Sequence, residues 1–346
     1  MDLNNILQKF GLENYSIRSF GNGLINNTWI VENGSHEKEF ILQKINQNVF
    51  KTPQDIAFNI RLISDHLQHQ HPTYLFTSPI QSNDGKDLIQ SNEECFRLFP
   101  FIKKTHTINV VQKPEQAYEA AKQFGKFTKV LSGFDASQLK ITLPHFHDLS
   151  FRYKQFEIAL QNGNKERNQK SKGIINFIHD QKNIVDVYEK IKSDPHFKIR
   201  ATHHDTKISN VLFDENEKGI CVIDLDTVMP GYFISDVGDM LRTYLSPVDE
   251  DEKDLKKIEI RKDFYTAILN GYSSEMNDQL TTTEKKYFIY AGKFMIYMQA
   301  IRFITDHLSK DIYYGAKFEG HNYVRADNQV TLLKRLQENE KDLMKL

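Results

Sequence analysis

The chain has 346 residues, with 45 Lys and Arg against 46 Asp and Glu and a formal net charge of −1. That length exceeds one simple core and suits two packed lobes, for which 24 Phe and 15 Tyr supply apolar mass. Near-neutrality excludes a molecule-wide field that would gather nucleic acid or acidic lipid, and ordinary hydrophobicity excludes a disordered chain.

The two cysteines, Cys95 and Cys221, lie far apart without CxxC spacing. They are read as small core residues, not as a disulfide or zinc site. Residues 1–20 mix charged and apolar side chains, unlike a secretory signal, and no apolar run reaches bilayer length, so a cytoplasmic location is expected.

In chain order, the first hundred residues read as an antiparallel sheet with one inserted helix. Strands are expected over 16–20, 28–31 and 40–45, with Gly21-Asn22-Gly23 and Asn33-Gly34 as breaks. Thr52 and Pro53 open a helix whose Ile56, Ile60, Ile63 and Leu67 hold helical spacing. Two further strands fall over 87–90 and 95–99. The remainder is mainly helical: 114–131, 149–160 and 174–191, then from about Asp254 to the end. Residues 161–173 read as an exposed polar connector, and Asp249-Glu250-Asp251-Glu252 as an exposed helix start.

The informative segment is 201–243. His203-His204-Asp205-Thr206-Lys207-Ile208-Ser209-Asn210 precedes Val211-Leu212-Phe213, a polar turn over 214–219, and Cys221-Val222-Ile223-Asp224. Two apolar runs around a turn make a β-hairpin, which brings Asn210 and Asp224 to the same end. Phosphoryl transfer asks a protein for positioning and charge neutralisation more than for covalent chemistry. Asn210 and Asp224 offer oxygen ligands to Mg2+, which keeps several waters. Asp205 is the candidate base for an acceptor hydroxyl. Lys207, two residues on, can reach the transferring phosphate as a point charge.

Competing readings of the segment are weaker. The run beginning Asp214-Glu215-Asn216 starts like a calcium loop, but Leu225 stands where a bidentate Glu is needed. His203 and His204 lack a third zinc ligand at suitable spacing, and His203 is read as a packed brace. For Asp226, a second metal and an exposed or hairpin-capping role are both open. Gly21, Gly23 and Asn26 lie in a Gly-Asn-Gly-Leu-Ile-Asn-Asn loop between strands, where glycines let backbone N–H groups approach phosphates.

The pattern His-x-Asp-x-x-x-x-Asn followed by Ile-Asp resembles the aminoglycoside phosphotransferase and choline kinase superfamily. That resemblance implies an α+β, protein-kinase-like fold: a nucleotide-binding lobe over 1–101 ending in a hinge, and a catalytic and acceptor-binding lobe over 102–346. It implies ATP and Mg2+, and makes Asp236 the buried aspartate that braces the catalytic loop. It places a basic residue of the third strand toward the phosphates, Gln43 or Lys44 by register, with Lys44 chosen. The partner helix lacks the usual Glu, leaving Asp55 and then Asn59. Residues 96–102, including Phe99 and Phe101, are expected to form the hinge beside adenine.

Longer stretches are similar to the N-acetylhexosamine 1-kinases: 40–46 (FILQKIN), 97–102 (RLFPFI), 204–210 (HDTKISN), 224–231 (DLDTVMPG), and 302–311 with Tyr313. This implies transfer to the anomeric hydroxyl of N-acetylglucosamine or N-acetylgalactosamine, with Asp205, Arg302 and Tyr313 at the sugar. The expected partners are therefore a small sugar and ATP, without nucleic acid or membrane. Two alternatives remain: a kinase of the same superfamily acting on another small hydroxyl acceptor, and a silent sugar or nucleotide sensor. The intact Asp205, Lys207, Asn210 and Asp224 argue against the sensor.

Overall fold

A computed structural model of the chain describes residues 2–21 and 25–346. The N-terminal part runs α1 (Leu3–Gln8), β1 (Ser16–Ser19), β2 (Asn27–Glu32), β3 (Lys38–Ile45), α2 (Pro53–Gln70), β4 (Ile89–Ser91) and β5 (Glu94–Pro100). The strands form one antiparallel sheet in the order β1-β2-β3-β5-β4. One sheet face carries Val31, Leu42, Phe96 and Leu98 against Ile6, Leu7 and Phe10. The other places Ile45 and Cys95 against Ile56, Ile60, Ile63 and Leu67 of α2.

Sequence periodicity missed α1. It is short, and its start is fixed by Asp2, whose carboxylate accepts from the Asn4 N–H at 3.0 Å. The register β3 to β5 sets Gln43 opposite Arg97 and Lys44 opposite Phe96. Because side chains alternate, Gln43 and Arg97 share the α2 face, and Lys44 shares the α1 face.

The larger part comprises α3 (Pro114–Val130), α4 (Leu149–Asn162), α5 (Lys165–Lys170), α6 (Lys172–Asp180), α7 (Asn183–Ser193), β6 (Arg200–Thr202), β7 (Val211–Phe213), β8 (Gly219–Val222), β9 (Met229–Gly231), α8 (Phe233–Tyr244), α9 (Lys262–Met276), α10 (Thr282–Lys285), α11 (Phe288–Leu308) and α12 (His321–Leu343). Helix α11 is buried around most of its circumference and packs against α4, α8 and α12. Strands β7 and β8 form the expected hairpin, and β6 pairs with β9. The architecture is kinase-like: a small antiparallel sheet lobe and a larger helical lobe. Among the described residues, no helix is long and apolar enough to cross a membrane.

Three expectations are corrected. The connector over 161–173 contains α5, because Asn164 accepts from the Arg167 N–H at 2.9 Å and Lys170 reaches back to Glu166 at 2.7 Å. The single helix over 174–191 is two helices, since no apolar residue falls between Ile178 and Ile184 to continue the buried stripe. Residues 249–252 are not a helix start. Glu250 meets Arg242 and Arg325, and Asp251 meets His321 and Lys317, so cations on α8, on α12 and just before α12 draw the carboxylates inward.

Candidate active site

The loop from β6 to β7 has no strand partner for its amides, and α8 supplies them. Asp236, in the first turn of α8, accepts from the His203 N–H at 3.1 Å and the His204 N–H at 2.7 Å. Asp239 accepts from the Thr206 N–H at 2.9 Å, and the Tyr244 hydroxyl donates to Thr206 O at 2.5 Å. Burial pushes Asp236 up to about 7, while its two backbone donors pull the other way. His203 is fully buried, with Nε2 3.0 Å from Ile223 O and its ring against the edges of Phe124 and Phe127. His204 is buried with Nδ1 3.0 Å from Thr202 O, and burial lowers it to about 4.

Asp205 emerges from this braced loop. Burial acts to raise its carboxyl, but the Lys207 ammonium, 3.1 Å from Oδ1, leads the groups that hold it below its ordinary value. Asp205 is therefore ionised at neutral pH and able to accept a proton. Asn210 Nδ2 donates to Asp205 O at 2.9 Å, which leaves Oδ1 as the free end of the amide. The Ile223 N–H donates to Asn210 O at 2.9 Å, so the residue after Ile223, Asp224, sits beside Asn210 at the open end of the hairpin.

Asp224 adopts the left-handed conformation with φ 61°, which Asp tolerates better than most residues. It keeps an exposed edge and makes no side-chain hydrogen bond among the described residues. Desolvation first, then the carboxylates of Asp226 and Asp205, raise it to about 7. A cation would relieve that repulsion, so Asn210 and Asp224 fit a divalent ion. No cluster of three or more His, Cys, Asp or Glu is arranged to cage a metal among the described residues. This suits an ion that takes most of its ligands from water and phosphate oxygens.

The sheet side differs from the sequence expectation. Lys44 lies on the sheet face away from Gln43 and pairs with Glu94 at 2.8 Å. The cation on the inner face is Arg97, which sequence reasoning passed over. Its Nε and Nη2 donate to Gln43 Oε1 at 3.1 and 2.9 Å, its guanidinium lies 5.0 Å from the Phe99 ring, and Nη1 meets Asp226 Oδ1 at 2.5 Å. Those two atoms touch without an aligned hydrogen bond. Asp226 is thus buried and paired, neither exposed nor capping. Asn26 Nδ2 donates to Asp226 Oδ2 at 2.8 Å and Asn26 Oδ1 accepts from the Asn46 N–H at 3.0 Å, so Asn26 ties the sheet to the hairpin lobe.

Gly21 has φ 76° with open space at its missing Cβ, and Gly23 lies outside the described residues. Asn59 of α2 bonds Lys140 O and Val228 O at 2.8 and 3.0 Å, whereas Asp55 stays in the first helical turn. Residues 96–100 are strand, not hinge. Phe99 pairs with Ile41, and the Phe101 N–H is taken by Glu39 O at 2.8 Å. Strand β5 therefore runs through Pro100, and the chain leaves the sheet at Phe101.

On the far side of Asp205, Arg302 of α11 lies over Phe146, Tyr313 and Tyr314 at 5.5, 6.0 and 5.4 Å. The Tyr313 N–H is held by Asp306 Oδ1 at 2.7 Å, and its side chain is largely exposed. Arg242 pairs with Asp239 at 3.0 Å and Glu250 at 2.9 Å, linking this region to the loop that carries Asp205. Sequence reasoning also missed Asp239 and Arg242, although Asp239 lies in the same short motif as Asp236.

Residues 16–272 match the family described as Phosphotransferase enzyme family. The chain belongs to that family. Among solved structures, this phosphotransferase is similar to an aminoglycoside phosphotransferase from Alicyclobacillus acidocaldarius subsp. acidocaldarius DSM 446, at TM-score 0.67 and 11% identity over 98% of this chain and 96% of that one. It is similar to a choline/ethanolamine kinase family protein from Mesorhizobium loti, at TM-score 0.60 and 13% identity over 95% and 91% of the two chains. A spectinomycin phosphotransferase in complex with ADP and spectinomycin matches at TM-score 0.58 and 14% identity over 99% and 98%. At these identities the likeness establishes the fold.

Proposed function

We propose that this phosphotransferase moves the γ-phosphoryl group of ATP to the anomeric hydroxyl of an N-acetylhexosamine, giving the sugar 1-phosphate. The observation that carries the transfer is the loop geometry: an ionised Asp205, with Lys207 3.1 Å away, beside the Asn210–Asp224 end of the hairpin. Asp205 accepts the hydroxyl proton as the sugar oxygen bonds to the γ-phosphorus and the bond to the β-phosphate oxygen breaks. Lys207 faces the charge that develops on the transferring oxygens. Asn210 and Asp224 would hold Mg2+, which supplies charge neutralisation on the triphosphate.

The sugar assignment draws on two supports. The long stretches similar to the N-acetylhexosamine 1-kinases include Arg302 and Tyr313, and these residues lie together over an aromatic floor. A guanidinium donates to an acetamido oxygen, and Tyr offers an apolar face with a polar tip. In addition, Asp205 is a weak base, held below its ordinary pKa, and a weak base suits the comparatively acidic anomeric hydroxyl. A labelled-ATP screen over N-acetylglucosamine, N-acetylgalactosamine, simple hexoses, choline and kanamycin tests this, with the phosphorylated position read by NMR. Label at C1 of an acetamido sugar is expected. Transfer to choline or kanamycin alone would overturn the assignment.

A further inference from the structure

The acceptor side holds more positive charge than the protein neutralises. Asp205 answers Lys207; Asp239 and Glu250 answer Arg242; Glu250 and Asp251 answer Arg325. Arg152 of α4 and Arg302 of α11 have no carboxylate in ion-pair contact among the described residues. Among the described residues their only side-chain hydrogen bonds are to neutral amides one turn away, Arg152 Nη1 to Gln155 at 2.9 Å and Arg302 Nη1 to Gln299 at 3.1 Å. Asp148, the acid nearest Arg152 in sequence, makes no ion-pair contact with it and offsets its charge only at a distance: it accepts from the Phe151 N–H at 3.1 Å and meets His145 at 3.0 Å.

The two guanidinia lie within electrostatic reach of each other. Burial first and the Arg302 charge second hold Arg152 below the usual arginine value, with Tyr313, Tyr314 and the Asp148 carboxylate close enough to oppose them in part. Arg152 Nε is enclosed without a partner, and so is Nδ1 of His147. His147 feels Arg302, Arg242 and Arg152, and its ring lies 5.2 Å from that of His204, the residue before Asp205. This cluster therefore adjoins the catalytic loop on the acceptor side. An enclosed guanidinium N–H without an acceptor, as at Arg152 Nε, is costly unless something supplies one.

We infer that the sugar acceptor carries an oxyanion, a carboxylate or sulfate on the N-acetylhexosamine, which Arg152 binds together with Arg302. This rests on the sugar reading above and sharpens it from a neutral to an acidic acetamido sugar. Arg302 has donors enough to serve both the acetamido oxygen and the oxyanion, whereas Arg152 is left for the oxyanion. The Asn210–Asp224–Asp226 side, with its excess of carboxylates, takes the cation, and the Arg152–Arg302 side takes the anion.

The test compares initial rates with ATP and Mg2+ for N-acetylglucosaminuronate, its methyl ester, N-acetylglucosamine 6-sulfate, N-acetylglucosamine, and the 3-O-lactyl ether of N-acetylglucosamine with its methyl ester. At least one acid is expected to exceed its neutral counterpart about ten-fold or more in kcat/KM. Which acid does so identifies the group and its position. Arg152→Gln should lower kcat/KM for that acid about ten-fold more than for its neutral counterpart, and Arg152→Lys should restore part of the preference. Equal kcat/KM for all acids and their neutral counterparts, or a preference untouched by Arg152→Gln, overturns the inference while leaving the sugar reading intact.

Failure of every acetamido sugar would overturn the sugar reading. The anion site then stands or falls on calorimetric titration of sulfate into the protein saturated with MgADP. Sulfate binding that Arg152→Gln abolishes upholds it, and no binding, or binding unchanged by the substitution, overturns it. A circular-dichroism melt checks that each variant is folded.

Discussion

Arg97 on β5 and Asp226 beyond the hairpin form a buried ion pair across the lobes, with Nη1 2.5 Å from Oδ1 and both side chains almost wholly covered. Asn26 holds the second carboxylate oxygen and Gln43 holds the rest of the guanidinium. Removing either charge strands the other in a poorly solvated position. Arg97→Met should therefore destabilise the fold by about 3–5 kcal/mol, and Arg97→Met with Asp226→Leu together should recover much of that loss. Urea denaturation of the two single variants and the double variant measures the coupling. Additive losses would show that the pair is not coupled.

The local shape of the candidate catalytic segment, a loop followed by a hairpin, was legible in the sequence because its parts are local. Asp205, Lys207 and Asn210 share one loop, and a hairpin with an obvious polar turn returns Asp224 to them. The Arg97–Asp226 pair was not legible, because it joins elements from different lobes and the shared stretches that contain the two residues, 97–102 and 224–231, say nothing of their pairing. The choice of Lys44 over Gln43 failed for a related reason. Phe40, Ile41 and Leu42 are apolar in succession because β3 is covered on both faces, so no alternation in the sequence tells which parity points inward. The acidic run over 249–252 looked like a solvated face because its cations, Arg242, Lys317, His321 and Arg325, lie on separate segments.

Asp205→Asn keeps the size of the side chain and removes its basicity. The kcat should fall about 10²–10⁴-fold, with the KM for ATP changed less than about three-fold. Steady-state kinetics with saturating acceptor measures both. A kcat within about three-fold of wild type would remove Asp205 from the role of base.

Asp224 links metal binding to pH. Its pKa is raised to about 7, so below that value a proton occupies the carboxylate that the cation needs. Divalent affinity should weaken about ten-fold per pH unit as pH falls below about 7 and level off above it. Titration of Mn2+ into the ADP-bound protein at about pH 6, 7 and 8, followed by electron paramagnetic resonance, gives the slope. Asp224→Asn should abolish the pH dependence together with most of the binding. Affinity independent of pH across this range would place the cation elsewhere.

His204 links stability to acid. Its pKa is lowered from 6.5 to about 4 in the folded protein, with burial the leading cause. Between those values the unfolded chain binds a proton that the folded chain refuses, so stability contributed by neutral His204 is lost as pH falls. The full shift is worth about 3 kcal/mol. Asp224 and Asp236 shift upward and act in the opposite sense over a similar window, so the wild-type curve alone conceals the effect. The difference between wild type and His204→Gln isolates it. Measured by urea denaturation, the stability of wild type minus that of the variant should fall by about 3 kcal/mol from about pH 7 to pH 4. A difference that stays constant would mean that the imidazole takes up its proton without unfolding, against the packing of His204 beside Gly231, where even one added methyl carbon would lie 2.5 Å from Nε2.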